Sequence, residues 1–343
     1  MNGDDMNIEP NRTRRRPSMR RCIAVLAAVA LLLAGIFALA LRMEEEGREQ
    51  ERGVSQMGIG QRKRVEYQGK TYIEKLGLTT ILVMGVDRPS GTPGYGARQG
   101  GQADFQMLMV IDSGEKRIKR LQIDRDTMTE VEILGILGNV VGTQRMQICL
   151  AHGFGNSPEE NCEHAVSAVE NLLEGVDIEL YMAMDMDAIG TLNHALGGVT
   201  VTLTEDFSAQ DPAMMKGTTL CLDDRQAEIF VRSRMSVGDG TNASRMVRHR
   251  TYMNAAAETL RANMEADSGY INGFLDEMEG VVTTNISRGR MINEVNKSYR
   301  YETPEAETLP GEYRIGEDGF MEYHVTEGAV LDWIMRTLYE PQE

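Results

Sequence analysis

The sequence predicts an α/β fold in three layers (α/β/α) around a central mixed sheet, preceded by one N-terminal transmembrane helix. Strand-length apolar runs alternate along the chain with longer helical patterns, which is typical of a layered α/β domain. Hydrophobic residues make up 41% and charged residues 26% of the 343 residues, as in a globular protein. One further run, residues 22–41, contains no charge.

The uncharged run 22–41 has the length of a membrane-spanning helix. At about 1.5 Å per residue it covers the roughly 30 Å hydrocarbon core of a bilayer. Arginines dominate the preceding segment, and Glu44–Glu46 follow the run. Because positive flanks stay inside, we expect residues 1–21 to be a cytoplasmic tail and the main domain to be extracytoplasmic. A single-pass cell-membrane signal anchor is favoured over a signal peptide cleaved near Ala38–Ala40, because the run is longer than a secretory apolar region.

Residues 42–77 are rich in Glu, Arg, Gln and Gly and show little apolar periodicity, which predicts a juxtamembrane linker. A short hairpin is expected inside it, around Gln68-Gly69. The extracytoplasmic domain is expected to cover residues 78–340.

The strands are recognised by apolar or alternating runs that stop at turn residues. The run 79–87 is rich in β-branched residues and stops at Arg88-Pro89-Ser90-Gly91. Ile118 and Ile123 alternate with polar residues in the third run. The predicted strands are 79–87, 105–112, 117–126, 180–184, 199–203 and segments around Tyr313 and Tyr323.

The helices are recognised by apolar faces and end signals. Leu172 and Leu173 belong to one apolar face that ends before Gly175, and Asp185 and Ser244 are expected N-caps. The predicted helices cover 156–174, 186–196, 223–231, 245–264, 267–281, 287–300 and 327–339.

Charge and cysteine content narrow the function classes. A formal net charge of −16 and a pI near 4.9 exclude a general nucleic-acid binder, which needs a basic surface. None of the four cysteines forms the C-x-x-C pair of a zinc site. Cys149 and Cys162 would close a short loop and are the first candidates for a disulfide, and buried free thiols are the alternative.

The stretch 229–250, IFVRSRMSVGDGTNASRMVRHR, is basic within this acidic chain. It contains five arginines, no lysine and one acid, Asp239. Arginine forks bind phosphate or carboxylate oxygens in pairs, whereas lysine acts as a point charge. Arg232 and Arg234 share a side only on extended backbone, and Arg245 and Arg248 share one on a helix. Taken alone, the stretch fits either a solvated basic stripe that pairs with the acid-rich remainder of the chain or an anion site.

Acids and arginines also recur at the ends of predicted strands, where α/β folds place their chemistry. Asp87 and Arg88 end the first strand, Asp104 precedes the second, and Arg125 and Asp126 end the third. Taken alone, each of these residues would be interpreted as an ordinary turn residue. Together with the arginine stretch they strengthen the prediction of an anion site.

Five segments of the chain resemble those of a known family. The segments ILVMGVDR (81–88), ADFQMLMVID (103–112), LQIDRDTM (121–128), ALGGVTV (195–201) and FVRSRMSVGDG…SRMVRHR (230–250) are similar, in order and spacing, to the LytR-CpsA-Psr (LCP) family. The resemblance covers about residues 78–265. It implies a membrane-anchored phosphotransferase that attaches a polyprenyl-pyrophosphate-linked glycopolymer to cell wall peptidoglycan, with Mg²⁺ as cofactor. The lipid is then expected in an apolar pocket, for which Met107, Met109 and helices 186–196 and 251–260 are candidate lining.

The resemblance also implies roles for individual residues. Arg125 and Asp126 are expected at the catalytic centre, where Asp126 either accepts the proton of the incoming hydroxyl or orients Arg125. The orienting role is favoured, because neighbouring arginines lower the pKa of a carboxylate and make it a poor base. Asp87 and Asp104 are the expected metal ligands, and His249 and Asp239 are possible site residues. The expected pyrophosphate ligands are Arg88, Arg125, Arg232, Arg234, Arg245 and Arg248.

Four positions depart from the family pattern. Asp124 stands where a proline is common, Gln102 replaces an arginine, Asn242 replaces an acid and His249 replaces a glutamine. These departures motivate one alternative, a non-enzymatic envelope regulator that binds the lipid pyrophosphate. A second alternative is a hydrolase of the same lipid, with water as the acceptor.

Overall fold

The computed structural model describes residues 62–88, 100–135, 138–185, 188–234 and 237–342. The expected cytoplasmic tail, the run 22–41 and most of the expected linker lie outside these ranges. Across the described ranges, no helix is both long and apolar enough to cross a bilayer. Every element below belongs to one compact unit, Arg64–Glu343.

A five-stranded mixed sheet forms the centre of this unit, in the order β11-β8-β3-β4-β5. Strand β3 runs parallel to β8, and all other neighbours are antiparallel. The mixed sheet agrees with the prediction from sequence. Its strands are β3 (Leu78–Asp87), β4 (Gln102–Asp112), β5 (Arg117–Ile123), β8 (Leu180–Asp185) and β11 (Val282–Thr284).

Four small sheets surround the centre. The expected hairpin is present as β1 (Arg64–Tyr67) and β2 (Lys70–Glu74), and it pairs with the C-terminal β14 (Tyr339–Pro341). The compact unit therefore begins before residue 78, within the segment expected to be linker. The other small sheets are β6 (Met128–Leu134) with β7 (Val140–Gln147), β9 (Val199–Thr202) with β10 (Thr219–Leu222), and β12 (Gly311–Ile315) with β13 (Met321–Val325).

Helices cover the sheet and connect its strands. The predicted helices are all present, with ends shifted by a few residues. A short 3₁₀ helix, Ile148–Gly153, precedes the first of them. The helices are α1 (Pro158–Leu172), α2 (Ala188–Leu196), α3 (Asp224–Arg232), α4 (Asn242–Ala266), α5 (Tyr270–Glu277), α6 (Arg288–Ser298) and α7 (Ala329–Leu338).

The sheet is covered on both faces, which gives the expected three layers. On one face, Leu82, Leu108 and Leu121 form a single core with Val169 of α1 and Trp333 of α7. The alternate residues of β5 point the other way, because successive side chains in a strand face opposite sides. There Gln122 Nε2 donates to the Met246 carbonyl of α4 at 3.3 Å, and Arg120 Nη1 donates to Asn254 Oδ1 at 2.7 Å. A second core fills the space among α2, α3, α4, β9 and β10.

Two element ends differ from the sequence prediction. β5 stops at Ile123 and not at Asp126, because Asp124 turns the chain: its Oδ1 accepts from the Asp126 amide at 2.9 Å. Helix α4 begins at Asn242, with Thr241 as its N-cap in place of Ser244. The Thr241 side chain accepts from the Ser244 amide at 3.1 Å, so Ser244 lies in the first turn.

The suggested Cys149–Cys162 disulfide is wrong, since both residues are buried free thiols. Cys149 Sγ lies 3.9 Å from Gln102 Oε1, and Cys162 Sγ lies 3.8 Å from His152 Nε2. The two thiols therefore contact different residues. Their spacing in the sequence does not predict this.

Candidate functional site

The predicted strand-end residues meet at one edge of the sheet. β4 runs antiparallel to both its neighbours, so its start lies beside the ends of β3 and β5, with Asp87 opposite Gln102 and Ile123 opposite Gln106. A cavity of about 340 Å³, the arginine cavity, opens at this edge. Its charged lining consists of Asp87, Asp104, Arg125, Asp185, Arg232, Arg234 and Arg245.

Asp104 holds two arginines at the base of this cavity. Its Oδ1 accepts from Arg125, and its Oδ2 accepts from Arg245 Nη1 at 2.9 Å. Arg125 also donates to Gln102, and its Nε lies 3.3 Å from Asp126 Oδ1. Gln102, a departure from the family pattern, is thus a direct partner of the catalytic candidate Arg125.

Arg245 is fixed from the helix side as well. Its Nη2 donates to Asn242 Oδ1 at 2.9 Å, and Asn242 Nδ2 donates to Asp124 Oδ1 at 3.0 Å. Burial lowers the pKa of Arg245, although Asp104 opposes this shift. A buried guanidinium with fixed partners is preorganised to neutralise an added anion.

Arg232 and Arg234 lie at the exposed mouth of the cavity. Arg232 is the last residue of α3, and Ser233 has extended backbone with φ −57° and ψ 133°. This local extension brings two arginines that are two residues apart to the same cavity, as the sequence argument required. In the described part of the chain, the ion pair of Arg232 with Glu228 is long, at 3.8 Å.

Four predicted site residues do not line the cavity. Asp126 is buried and contacts Arg125 but is not part of the lining. Arg248 is buried and donates to Glu205 Oε2 at 2.5 Å, to Ser244 Oγ at 3.0 Å and to the Ser233 carbonyl. Arg88 is buried next to Gly101 and does not line the cavity. Asp239 is exposed and accepts from Thr241, so it shapes the turn before α4.

Arg248 and Arg245 diverge because residues three apart on a helix are about 60° apart around the axis. That angle is enough for Arg245 to reach Asp104 while Arg248 reaches Glu205. Gly238, at φ +61°, permits the approach of Glu205, since a Cβ there would lie 1.9 Å from Glu205 Oε1. No local sequence pattern pointed to Glu205, which lies in a loop well before the arginine stretch in the sequence.

His249 lines the cavity as a neutral side chain. Its Nε2 lies 3.1 Å from the Val231 carbonyl, and its ring packs edge-on against Phe105 with centroids 5.4 Å apart. Burial, together with Arg245, lowers the pKa of His249 to about 3. It therefore contributes a fixed ring to the wall and no charge near neutral pH.

The pKa of Asp126 is raised, whereas neighbouring arginines would be expected to lower it. Burial raises its pKa, Asp124 adds to the rise, and Arg125, Arg234 and Arg245 only partly oppose it. A raised pKa makes a carboxylate a stronger base than an exposed one. The lowered pKa expected from the neighbouring arginines is wrong, because burial, which the residue types do not reveal, outweighs their charge.

The inner wall of the arginine cavity is apolar. Helices 186–196 and 251–260, expected to line a lipid pocket, do contribute side chains. Met107 and Met109 do not line it, and Met107 belongs to the core of the sheet. The apolar lining consists of Val86, Phe105, Met184, Ile189, Leu192, Val231, Tyr252 and Met253.

The LytR_cpsA_psr family model matches residues 45–335, most of the sequence. The chain belongs to this family. TagU of Bacillus mycoides (strain KBAB4), a polyisoprenyl-teichoic acid–peptidoglycan teichoic acid transferase, is 27% identical over 263 residues, covering 76% of this chain and 78% of the relative.

Solved structures share the fold of this LytR_cpsA_psr chain. Protein gbs0355 of Streptococcus agalactiae has a TM-score of 0.63 at 22% identity, covering 76% of this chain and 86% of its own. TagV of B. subtilis has a TM-score of 0.57 at 20% identity, covering 75% and 94%. At these identities the likeness concerns the fold alone.

The two carboxylates expected to bind a metal in a LytR_cpsA_psr protein, Asp87 and Asp104, line the same cavity. In the described residues, no group of three or more His, Cys, Asp or Glu side chains could hold a metal. Mg²⁺ usually takes only one or two carboxylates and completes its shell with water and substrate phosphates. A pair of carboxylates beside a cluster of arginines fits that requirement.

Two buried histidines predict a loss of stability in acid. Burial lowers the pKa of His152 to about 4 and that of His249 to about 3, against about 6.5 when unfolded. Below pH 6.5 the unfolded chain takes up protons that the folded chain does not. The free energy of unfolding therefore falls from pH 6.5 towards 3, by about 1.4 kcal/mol for each unit of pKa difference.

Urea unfolding across this pH range checks the expectation. His249→Gln keeps a donor for the Val231 carbonyl and removes one titrating group. Its stability should fall less steeply between pH 6.5 and 4 than that of the wild type. Equal slopes for the two proteins would contradict a neutral buried His249.

Proposed function

We propose that this chain transfers a glycopolymer from a polyprenyl pyrophosphate lipid to a hydroxyl of peptidoglycan. Family membership and the transferase names of its curated relatives make it an enzyme of the glycopolymer–peptidoglycan transferase type. The proposed substrate is inferred from one observation: the arginine cavity has a charged end and an apolar wall. Arginines and carboxylates form one end, and the side chains of Ile189, Leu192 and Met253 form an apolar wall. This division matches a pyrophosphate joined to a long hydrocarbon chain.

The proposed reaction follows from the placement of these groups. The acceptor oxygen attacks the phosphorus that carries the glycan, the bond from that phosphorus to the bridging oxygen breaks, and the lipid leaves as its monophosphate. Asp126 accepts the hydroxyl proton. Arg125 and Arg245 neutralise charge on the transferred phosphoryl group, and Arg232 and Arg234 hold the pyrophosphate at the mouth.

Mg²⁺ is the proposed cofactor. Asp87 and Asp104 would hold it, and when bound it would neutralise charge on the pyrophosphate oxygens. Asp104 can serve both the metal and its two arginines, because an ionised carboxylate has about four lone-pair positions.

We also propose that residues 22–41 anchor the enzyme in the cell membrane with the main domain outside. The support is the length of the run and the arginines before it. In this arrangement the apolar wall of the cavity receives a lipid that is itself held in the same membrane.

A reconstituted transfer assay tests the proposed function. Full-length protein, Mg²⁺, a lipid-pyrophosphate glycan and peptidoglycan should yield lipid monophosphate and glycan-modified peptidoglycan together. Lipid monophosphate formed equally well without peptidoglycan would indicate a hydrolase. Substrate binding with no product would indicate the non-enzymatic regulator.

Removal of Mg²⁺ is expected to lower transfer by on the order of 10²-fold or more, since the arginines alone must then hold the charge. Titrating Mg²⁺ back after chelation checks this. Asp87→Asn should raise the Mg²⁺ concentration needed for half-maximal rate, whereas Asp239→Asn, in the exposed turn outside the cavity, should not. Full activity in excess chelator would exclude the metal.

A further inference from the structure

A second cavity lies on the other side of α4. Its volume is about 280 Å³, and we call it the tyrosine cavity; its lining includes Asp124, Met246, Arg250, Leu309, Tyr313 and Tyr323. Arg245 and His249 face the arginine cavity, whereas Met246 and Arg250, one position further along α4, face this one. The proposed reaction needs two substrates, and the lipid pyrophosphate fills only the arginine cavity.

The chemistry of the tyrosine cavity suits a sugar better than a second phosphate. Tyr313 and Tyr323 stand with ring centroids 4.8 Å apart, and Tyr313 is 43% exposed. Such rings offer flat apolar surface for the C–H face of a pyranose, with a carboxylate and a guanidinium nearby for hydroxyl groups. Its cation, Arg250, already donates to Gln122 Oε1 at 2.6 Å, and its wall carries the buried acid Asp124.

The tyrosine cavity is joined to the proposed catalytic groups by short contacts. The Tyr313 hydroxyl donates to Asp124 Oδ2, and Asp124 Oδ1 accepts from Asn242, which holds Arg245. The Tyr323 amide donates to the Asp126 carbonyl at 2.7 Å, and the Asp126 side chain lies beside Arg125. The tyrosine cavity is therefore connected by short contacts to Arg245 and to the chain segment that carries Asp126.

We propose that the tyrosine cavity binds the acceptor saccharide of the peptidoglycan strand. This inference rests on the proposed function for the identity of the acceptor. Asp124, at a position where the sequence departs from its family pattern, then has a definite role: it connects the saccharide site to Arg245 through Asn242.

Saccharide binding without donor lipid tests the proposal separately from catalysis. The full-length chain in detergent is titrated by calorimetry with a tetrasaccharide of alternating N-acetylglucosamine and N-acetylmuramic acid. Tyr313→Ala should weaken binding roughly tenfold, and Tyr313→Phe, which keeps the ring, should bind nearly as the wild type does. Phe320→Ala, an exposed aromatic at the tip of the same hairpin, is the matched control and should not change binding.

A second variant guards against a folding defect in Tyr313→Ala. Val247 lines the tyrosine cavity and is 46% exposed, so Val247→Trp fills the cavity without disturbing the core. It should also weaken tetrasaccharide binding, while the Kd for the lipid pyrophosphate stays within about twofold. An unchanged tetrasaccharide Kd in both variants, or no binding by a wild type that is active in transfer, overturns this inference and leaves the proposed function intact. If tetrasaccharide binding depends on Tyr313 but the chain shows no transfer, the saccharide site is supported and the proposed function is contradicted.

Discussion

Arg125→Ala should lower the rate of lipid monophosphate release by on the order of 10²–10³-fold, the effect of removing one preorganised donor to a developing charge. The side chain is largely buried and donates to Asp104 and Gln102, so it requires no reorganisation when the substrate binds. Arg125→Lys should recover little, because an ammonium cannot reproduce the planar fork. The measurement is initial rate at saturating lipid.

Arg117→Ala is the matched control for this variant. Arg117 lies at the start of β5, the strand that ends two residues before Arg125; it is exposed and pairs with Glu302 at the surface. Its loss should leave transfer within about twofold of the wild type, as an exposed ion pair contributes little. A rate near that of the wild type in Arg125→Ala would remove the basis for the catalytic assignment.

Arg248→Met should destabilise the fold by about 3 kcal/mol, because it leaves the partly buried Glu205 carboxylate without its cationic partner and with the Ser244 hydroxyl as its remaining donor. The Arg248 side chain is only 2% exposed, and its guanidinium joins Glu205, Ser244 and Ser233. The check is the free energy of unfolding from urea titration. The double variant Arg248→Met/Glu205→Leu should recover much of the loss, since no unpaired charge remains.

Arg232→Ala is the contrasting case. Arg232 belongs to the same arginine stretch, but its ion pair with Glu228 is exposed. Its removal should change the free energy of unfolding by less than about 0.5 kcal/mol while weakening binding of the lipid pyrophosphate. If Arg248→Met were no more destabilised than Arg232→Ala, the role given to Arg248 would be wrong.

These two arginines show how far the sequence could predict the site. Charge and spacing identified the arginine stretch, and family resemblance gave Arg125, Arg245 and Arg248 the same expected role. The different direction of Arg248 depends on Glu205, a partner more than 40 residues away in the sequence, which no local pattern reveals. The raised pKa of Asp126 likewise depends on burial that only the packed structure defines.

The fold, too, was predictable only where the sequence carries a local signal. Long apolar runs such as β3 and periodic faces such as α1 were predictable because they carry a local signal. The pair β6–β7 was not predicted, because its second strand, VVGTQRMQ, is mostly exposed and lacks apolar alternation. The partner of β1–β2 was missed because it is β14, at the opposite end of the chain.

A crystal structure with a short-chain polyprenyl pyrophosphate would test the central claim most directly. The pyrophosphate oxygens should lie within hydrogen-bond distance of Arg125 and of at least one of Arg232 and Arg234. The hydrocarbon should lie along Ile189 and Leu192. A pyrophosphate bound beside Arg250 in the tyrosine cavity, or hydrocarbon outside the apolar wall, would contradict that claim.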